Sequence, residues 1–254
     1  MITILKKIRH KLINENKLRN YLFYGIGEVF LVVIGILIAV QINNWNNLKN
    51  SKNEAISQIE SLENEISINI KRNEAYIKSY NKSLEETNSY IMLFSEGSNR
   101  ISDESIIRMY STMAPINGRV LTKTAYKDIN KSNVLNTIYN DSLRKMILGY
   151  GLLIEADKKS NSEFSEGWNK YLFPYFLKNA NLIFTEDTDP NNLSKTTKSI
   201  NTDAFVDNTE FLNLLILRKG YTSHFIALFK YQNEFFKKLL KKINSFLTKM
   251  SNND

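Results

Sequence analysis

The longest apolar run of the chain covers residues 21–42, and Glu28 is its one charged residue. Roughly 20 residues suffice to cross a hydrocarbon core of about 30 Å as an α-helix. A secretory signal peptide would have a shorter apolar region and a small-x-small cleavage site, which residues 41–45 do not supply. The pattern therefore predicts an uncleaved transmembrane helix over residues 21–42. A cleaved signal peptide and a buried core helix are the alternatives.

Residues 46–94 contain neither proline nor glycine, and their apolar side chains recur at spacings of seven. Two interleaved series occur, at positions 56-70-77-84-91 and 59-66-80, and Glu63, Asn73 and Thr87 interrupt them. Such a stripe is typical of a long stalk or bundle helix that packs one narrow face against another helix. The partner is either another helix of this chain or, in a coiled coil, a second chain. The polar interruptions weaken the coiled-coil interpretation.

A second long helix is predicted from about residue 208 to 250, with apolar positions in steps of three and four residues. These positions are Tyr221, Phe225, Leu228, Gln232, Phe235, Leu239, Ile243 and Phe246. We expect this helix to pack antiparallel to the 46–94 helix. Its four lysines between 237 and 242 would form a solvated face or contact lipid head groups.

Shorter helices are predicted between the two long ones. Ser102 is a plausible cap for one, a second begins near Thr122, and Asn140 or Asp141 caps a third. Glycine and proline number only 9 and 3, which favours helices over sheets. The predicted fold is all-α: one N-terminal transmembrane helix, then an extracytoplasmic helical bundle with long antiparallel helices. Residues 95–254 form the remainder of that extracytoplasmic domain.

The net charge of +8 is concentrated at the N-terminus, where residues 1–20 contain six Lys or Arg residues and one Glu. Between the apolar run and residue 54, the only Lys or Arg residues are Lys49 and Lys52. The positive-inside rule then places the N-terminus in the cytoplasm and the C-terminal domain outside it. We expect residues 1–20 to form a basic amphipathic segment on the inner leaflet, so membrane lipid is a predicted partner. Charge gathered beside an apolar run is a topology signal, and no nucleic-acid partner is expected.

Three residues of the predicted span share one helical face: Glu28, Gly35 and Ala39. A carboxylate in the span costs a few kcal/mol unless it snorkels, is protonated or finds a partner. Small residues spaced by four let two helices approach closely in lipid. This face is therefore a candidate transmembrane interface with a second copy or another membrane protein. The alternative is a snorkelling Glu28 beside incidental small residues.

Aromatic residues are concentrated in residues 168–184, around Pro174. Four of them form a candidate ligand pocket: Trp168, Tyr171, Phe173 and Phe176. A pocket needs such a concave apolar lining. The end of a helical bundle also needs apolar side chains to close it, and this is the alternative.

Candidate chemistry is sparse. The chain has no cysteine, which excludes disulfides, thiolate metal sites and cysteine nucleophiles. Its two histidines, His10 and His224, fit no metal-binding spacing, and no phosphate loop, dinucleotide motif or nucleophile elbow occurs. We therefore predict no catalytic residue, no metal and no cofactor.

The segment YLFYGIGEVFLVVIGILIAVQINNWN, preceded by KKIRHKLINENKLRN, closely resembles the opening of a large family of short single-pass membrane proteins from Bacteroidetes. The family is a domain of unknown function. TAYKDINKSNVLNTIYNDSLRKMILGY is similar to its mid-chain block, and residues 208–243 are similar to its closing helix. The resemblance implies a bacterial inner-membrane location and a helical periplasmic domain, and it implies no activity.

These observations favour a membrane-anchored, non-enzymatic interaction or scaffold protein. A sensor-like ligand-binding helical bundle that signals through a membrane partner is the second hypothesis. An enzyme of unrecognised type is the third.

Overall fold

A computed structural model describes residues 18–95, 102–114, 121–132, 134–138, 140–180, 201–206 and 208–251. The structure is 93% helical and has no β-strand within these residues, which confirms the all-α prediction. The chain divides into two units, Met1–Ala55 and Ile56–Asp254. Of the predicted basic segment, residues 1–17 lie outside the described residues.

The first helix, α1 (Leu18–Ser95), contains both the apolar run and the predicted 46–94 helix. In the part of the chain that is described, one helix is long and apolar enough to cross a membrane, judged by length and composition. None of the described residues buries its apolar part.

Four shorter helices follow: α2 (Asp103–Met113), α3 (Thr124–Lys131), α4 (Val134–Thr137) and α5 (Asp141–Gly167). Ser102 caps α2 by accepting a hydrogen bond from the Ser105 N–H at 3.2 Å. Asn140 caps α5 in the same way, with the Leu143 N–H as donor at 3.1 Å. The Ser102 cap was predicted, and Asn140 is one of the two residues that were predicted to cap α5. Each side chain satisfies a backbone donor that the first helical turn leaves without a partner.

The helical path continues beyond the end of α5 and past Pro174. A single π-helical turn (Trp168–Leu172) joins α5 to α6 (Phe173–Asn179), and Pro174 lies in the first turn of α6. Proline has no N–H to donate, and its ring clashes with the carbonyl four residues earlier. A π turn changes the hydrogen-bond register at that point, so the helical path continues past the proline.

The last helix, α7 (Thr209–Ser251), follows a short 3₁₀ turn (Thr202–Ala204) and pairs with the second half of α1. The contacting pairs are Asn73 with Gln232, Tyr76 with Phe229, Tyr80 with Phe225, and Phe94 with Phe211. The residue number rises along α1 as it falls along α7, which is the order of antiparallel helices.

The buried face of α1 follows two series of spacing seven, of which one contains a predicted series and the other was not predicted. One series is 59-66-73-80-87-94, which includes the predicted positions 59, 66 and 80. The other is 55-62-69-76-83-90, of which Tyr76 and Tyr90 are partly buried. Asn73 and Thr87, which interrupt the apolar series in the sequence, are fully buried as polar members of the stripe. We call these two series the α1 seam.

Candidate functional site

The predicted transmembrane interface lies on an uncovered face of α1. Glu28, Gly35 and Ala39 are all exposed. A Cβ atom built on Gly35 would have no other atom within 4 Å, so no described residue packs there. Residues 7 and 11 positions apart lie within about 20° of each other around a helix of 100° per residue. The shared face is therefore present, while a partner for it stays a prediction.

The four residues of the predicted aromatic pocket do not share one environment. Trp168 and Phe176 are buried in a core that also contains Phe205 and Phe211, and Phe173 packs against that core. Tyr171 is half exposed. The Phe176 ring meets the Phe205 and Phe211 rings with centroids 5.7 and 5.8 Å apart, the usual separation of packed aromatic pairs. Aromatic rings fill this space, as they would in closing the end of a bundle.

An open pocket of about 380 Å³ lies on the outer side of the same segment. Tyr171 lines it, together with Lys170, Pro174, Lys178 and Glu210. Its lining mixes two cationic side chains with one carboxylate and a proline ring, so it differs from the apolar pocket that the sequence predicts.

A buried polar network lies where α1, α3 and α5 meet, and sequence patterns did not predict it. The Glu65 carboxylate accepts hydrogen bonds from the Ala125 N–H at 2.8 Å and from the Tyr126 N–H at 3.4 Å. It thereby caps α3 from another helix, because Lys123 at the cap position makes no such side-chain bond. The Tyr150 hydroxyl also donates to this carboxylate at 3.2 Å.

Asn69 completes the network from the next turn of α1. Its Oδ1 accepts hydrogen bonds from the Thr122 N–H and hydroxyl, both at 2.9 Å, and its Nδ2 donates to the Tyr150 oxygen at 2.6 Å. Burial and the nearby negative charge of Glu65 raise the pKa of Tyr150 far above its usual value. These hydrogen bonds join α1 to the start of α3 and to α5, so we interpret the network as stabilising the fold.

The titratable groups of the described residues form no group of three His, Cys, Asp or Glu side chains that could hold a metal ion. His224 is exposed on α7, with its Nε2 atom 3.4 Å from the Ser160 hydroxyl. His10 lies outside the described residues.

Comparison with known proteins adds no identification. No family model matches the chain, and neither a curated protein nor a solved structure matches it. The resemblance to the Bacteroidetes membrane family stays a prediction.

Proposed function

We propose that this protein is a membrane-anchored, non-enzymatic interaction or scaffold protein. One observation carries the proposal: between residues 22 and 42, thirteen large apolar side chains are 45–68% exposed. Soluble proteins rarely leave so large a contiguous apolar surface uncovered. A lipid bilayer covers such a surface on all sides of a single helix.

The energetics of the span agree with this. Residues 21–42 contain fourteen Leu, Ile, Val and Phe residues. At about 0.3–0.6 kcal/mol each, their insertion is favourable by roughly 4–8 kcal/mol. One buried charge at the bilayer centre costs about 3 kcal/mol on the same scale, and Glu28 lies nearer one end. Insertion therefore remains favourable with Glu28 ionised, and more so if it is protonated or paired.

In this proposal the span is in a bacterial inner membrane, with the N-terminus cytoplasmic and the C-terminal domain a periplasmic helical bundle. The excess of Lys and Arg before the span supports this orientation. A reporter that is active only in the periplasm, fused after Arg100, tests it. Periplasmic activity is expected, and activity of a cytoplasm-only reporter at the same site would overturn the orientation.

The face of Glu28, Gly35 and Ala39 supplies the interaction that the proposal requires. A photo-cross-linking residue at position 39 tests this in native membranes, with the same residue at Leu37 as the matched control. Leu37 lies about 180° around the helix from this face. We expect a discrete protein adduct from position 39, weakened by Glu28→Gln, and lipid adducts from position 37. Equal products from both positions would mean that this face has no specific partner.

A second candidate function, a sensor-like ligand-binding bundle, is favoured by the open pocket beside Tyr171. Its ligand would lie against the outer side of the segment and not among Trp168 and Phe176, which are buried. Mass spectrometry of small molecules retained by the purified full-length protein tests it. A retained compound that Tyr171→Ala abolishes would support the sensor. Retention that is unchanged in this variant would remove the pocket from consideration.

A further inference from the structure

Arg218 of α7 is a buried charge with few hydrogen-bond partners. Its side chain is fully buried. Its Nη2 atom donates to the Thr112 and Ala114 carbonyl oxygens, each at a long 3.3 Å, and its guanidinium lies 4.6 Å from the centre of the Phe164 ring. The Nε and Nη1 atoms have no hydrogen-bond partner. A buried guanidinium normally has a carboxylate partner, because desolvating an unpaired ion costs several kcal/mol.

The partial compensation that exists is weak. The carbonyls of Thr112 and Ala114 belong to the C-terminal end of α2, where the helix dipole favours a cation. The Phe164 ring adds a cation–π contact, which strengthens when the ring and cation are desolvated. Burial nonetheless lowers the pKa of Arg218 to about 10. Arg218 is therefore charged at neutral pH, and its Nε and Nη1 atoms lack hydrogen-bond acceptors, which an anion would supply.

A surface pocket of about 280 Å³ lies beside Arg218. Arg218 forms part of its lining, and Ser79, Lys82, Ser83 and Thr112 contribute three hydroxyl groups and an ammonium group. The Ser79 hydroxyl and the Lys82 ammonium are donors that suit an oxyanion, whereas the Ser83 and Thr112 hydroxyls each donate their single proton within the pocket wall. The lining is fixed from opposite sides, since the Ser83 hydroxyl of α1 donates to the Thr112 carbonyl of α2 at 3.1 Å.

One lining group opposes an anion, the Glu86 carboxylate. It accepts a hydrogen bond from the Thr112 hydroxyl at 2.9 Å and lies 3.8 Å from the Lys82 ammonium. Two cations and one carboxylate leave the pocket with one net positive charge. A singly charged ligand neutralises it, whereas a doubly charged ligand would leave it negative.

We propose that this pocket binds a small monocarboxylate, whose oxygens accept hydrogen bonds from the unpartnered nitrogens of Arg218. A carboxylate matches the planar fork of a guanidinium, and the volume suits a ligand of a few heavy atoms. Both nitrogens are shielded from water in the ligand-free protein. Binding therefore requires a small movement of the pocket wall, and the low polarity of this environment strengthens the ion pair once it forms. The inference is independent of the membrane anchor.

Thermal unfolding of the full-length protein in detergent micelles tests the proposal, with sodium propionate as the probe and sodium chloride at equal ionic strength as the reference. At a propionate concentration ten times Kd, a saturable rise in Tm of roughly 3–6 °C is expected. Sodium phosphate, mostly doubly charged at pH 7.5, should give a smaller rise. No saturable rise with propionate, or a rise with phosphate alone, would overturn the proposal.

Variants locate the site. Arg218→Met should abolish the propionate-dependent rise, whatever its effect on the Tm without ligand. Because that variant loses two backbone contacts, Ser79→Phe gives a second test from an exposed position at the pocket. Ser79→Phe should abolish the rise, and Ser89→Phe, an exposed serine on the same helix and outside the pocket, should keep it. An equal rise in both phenylalanine variants would place the binding elsewhere and sink the proposal.

Discussion

We expect the loss of the Glu65 carboxylate, which caps the start of α3, to lower the free energy of unfolding substantially. Glu65→Ala removes an acceptor that serves the Ala125 N–H, the Tyr126 N–H and the Tyr150 hydroxyl. A hydrogen bond to a charged group contributes about 1.5–3 kcal/mol, and each buried donor left unpaired costs about 1–3 kcal/mol. Glu65 itself is 5% exposed, so water cannot readily replace the lost carboxylate.

The expected loss is smaller than the sum of those contributions. Alanine also removes the cost of keeping a carboxylate buried, which offsets part of the penalty. We expect Glu65→Ala to lower the free energy of unfolding by about 3–5 kcal/mol, as is typical when one partner of a buried charged network is removed. Glu65→Gln keeps one acceptor oxygen and should lose roughly half as much.

Urea denaturation of the full-length protein in micelles, followed by far-UV circular dichroism, measures these values. Glu60→Ala is the matched control, because Glu60 is an exposed carboxylate on the same helix. It should change stability by less than about 0.5 kcal/mol. If Glu65→Ala is as stable as Glu60→Ala, the carboxylate contributes nothing net as a cap, and the account of this network is wrong.

Two further predictions concern backbone space and pH. A Cβ at Gly151 would come within 2.1 Å of the Tyr126 ring, so Gly151→Ala should destabilise the protein by about 1–3 kcal/mol. A Cβ at Gly220 would have no atom within 4 Å, so Gly220→Ala should stabilise the protein by about 0.5–1 kcal/mol. Urea denaturation measures both changes. Equal effects would show that Tyr126 moves aside freely. The folded protein raises the pKa of Tyr150 above its ordinary value of 10.0. Below pH 10 the hydroxyl is protonated in both the folded and the unfolded protein, so its contribution to stability is complete. As the pH rises further, Tyr150 ionises in the unfolded protein before it does in the folded protein, and stability falls. Between pH 9 and 11, Tyr150→Phe should therefore lose less stability than the wild type, and Tyr171→Phe, at an exposed tyrosine, should follow the wild type.

Local signals predicted the helices of this fold well. Ser102 was predicted as a cap, and Asn140 as one of two alternatives, because an N-cap is determined by the residue itself and the next turn. The long helices followed from the scarcity of glycine and proline and from an apolar period close to that of a helix. Of the predicted apolar positions in α7, Phe225, Gln232, Leu239 and Ile243 are buried, while Tyr221 and Leu228 are partly buried.

The buried polar groups were beyond such reasoning. Asn69, Asn73 and Glu65 occur in a helix whose exposed faces are also polar, so hydropathy assigns them to solvent. Their partners are distant in sequence: Asn69 meets Thr122 across 53 positions and Asn73 meets Gln232 across 159. The contacts of Arg218 with Thr112 and Ala114 span more than 100 positions. One sequence contains no signal for these pairings.

The polar members of the α1 seam also bear on how this chain can associate. A coiled coil with a second copy would have to use the same seam, since it is the apolar stripe of α1. Asn69 would then lose Thr122, Asn73 would lose Gln232, and Glu65, which lies beside the seam, would leave the start of α3 without its cap. Each unpaired buried group costs about 1–3 kcal/mol, and no second seam supplies the backbone N–H groups that Asn69 and Glu65 accept from. The seam therefore favours partners within its own chain, and the proposed contact with another protein would use a different surface, the exposed apolar face around Glu28.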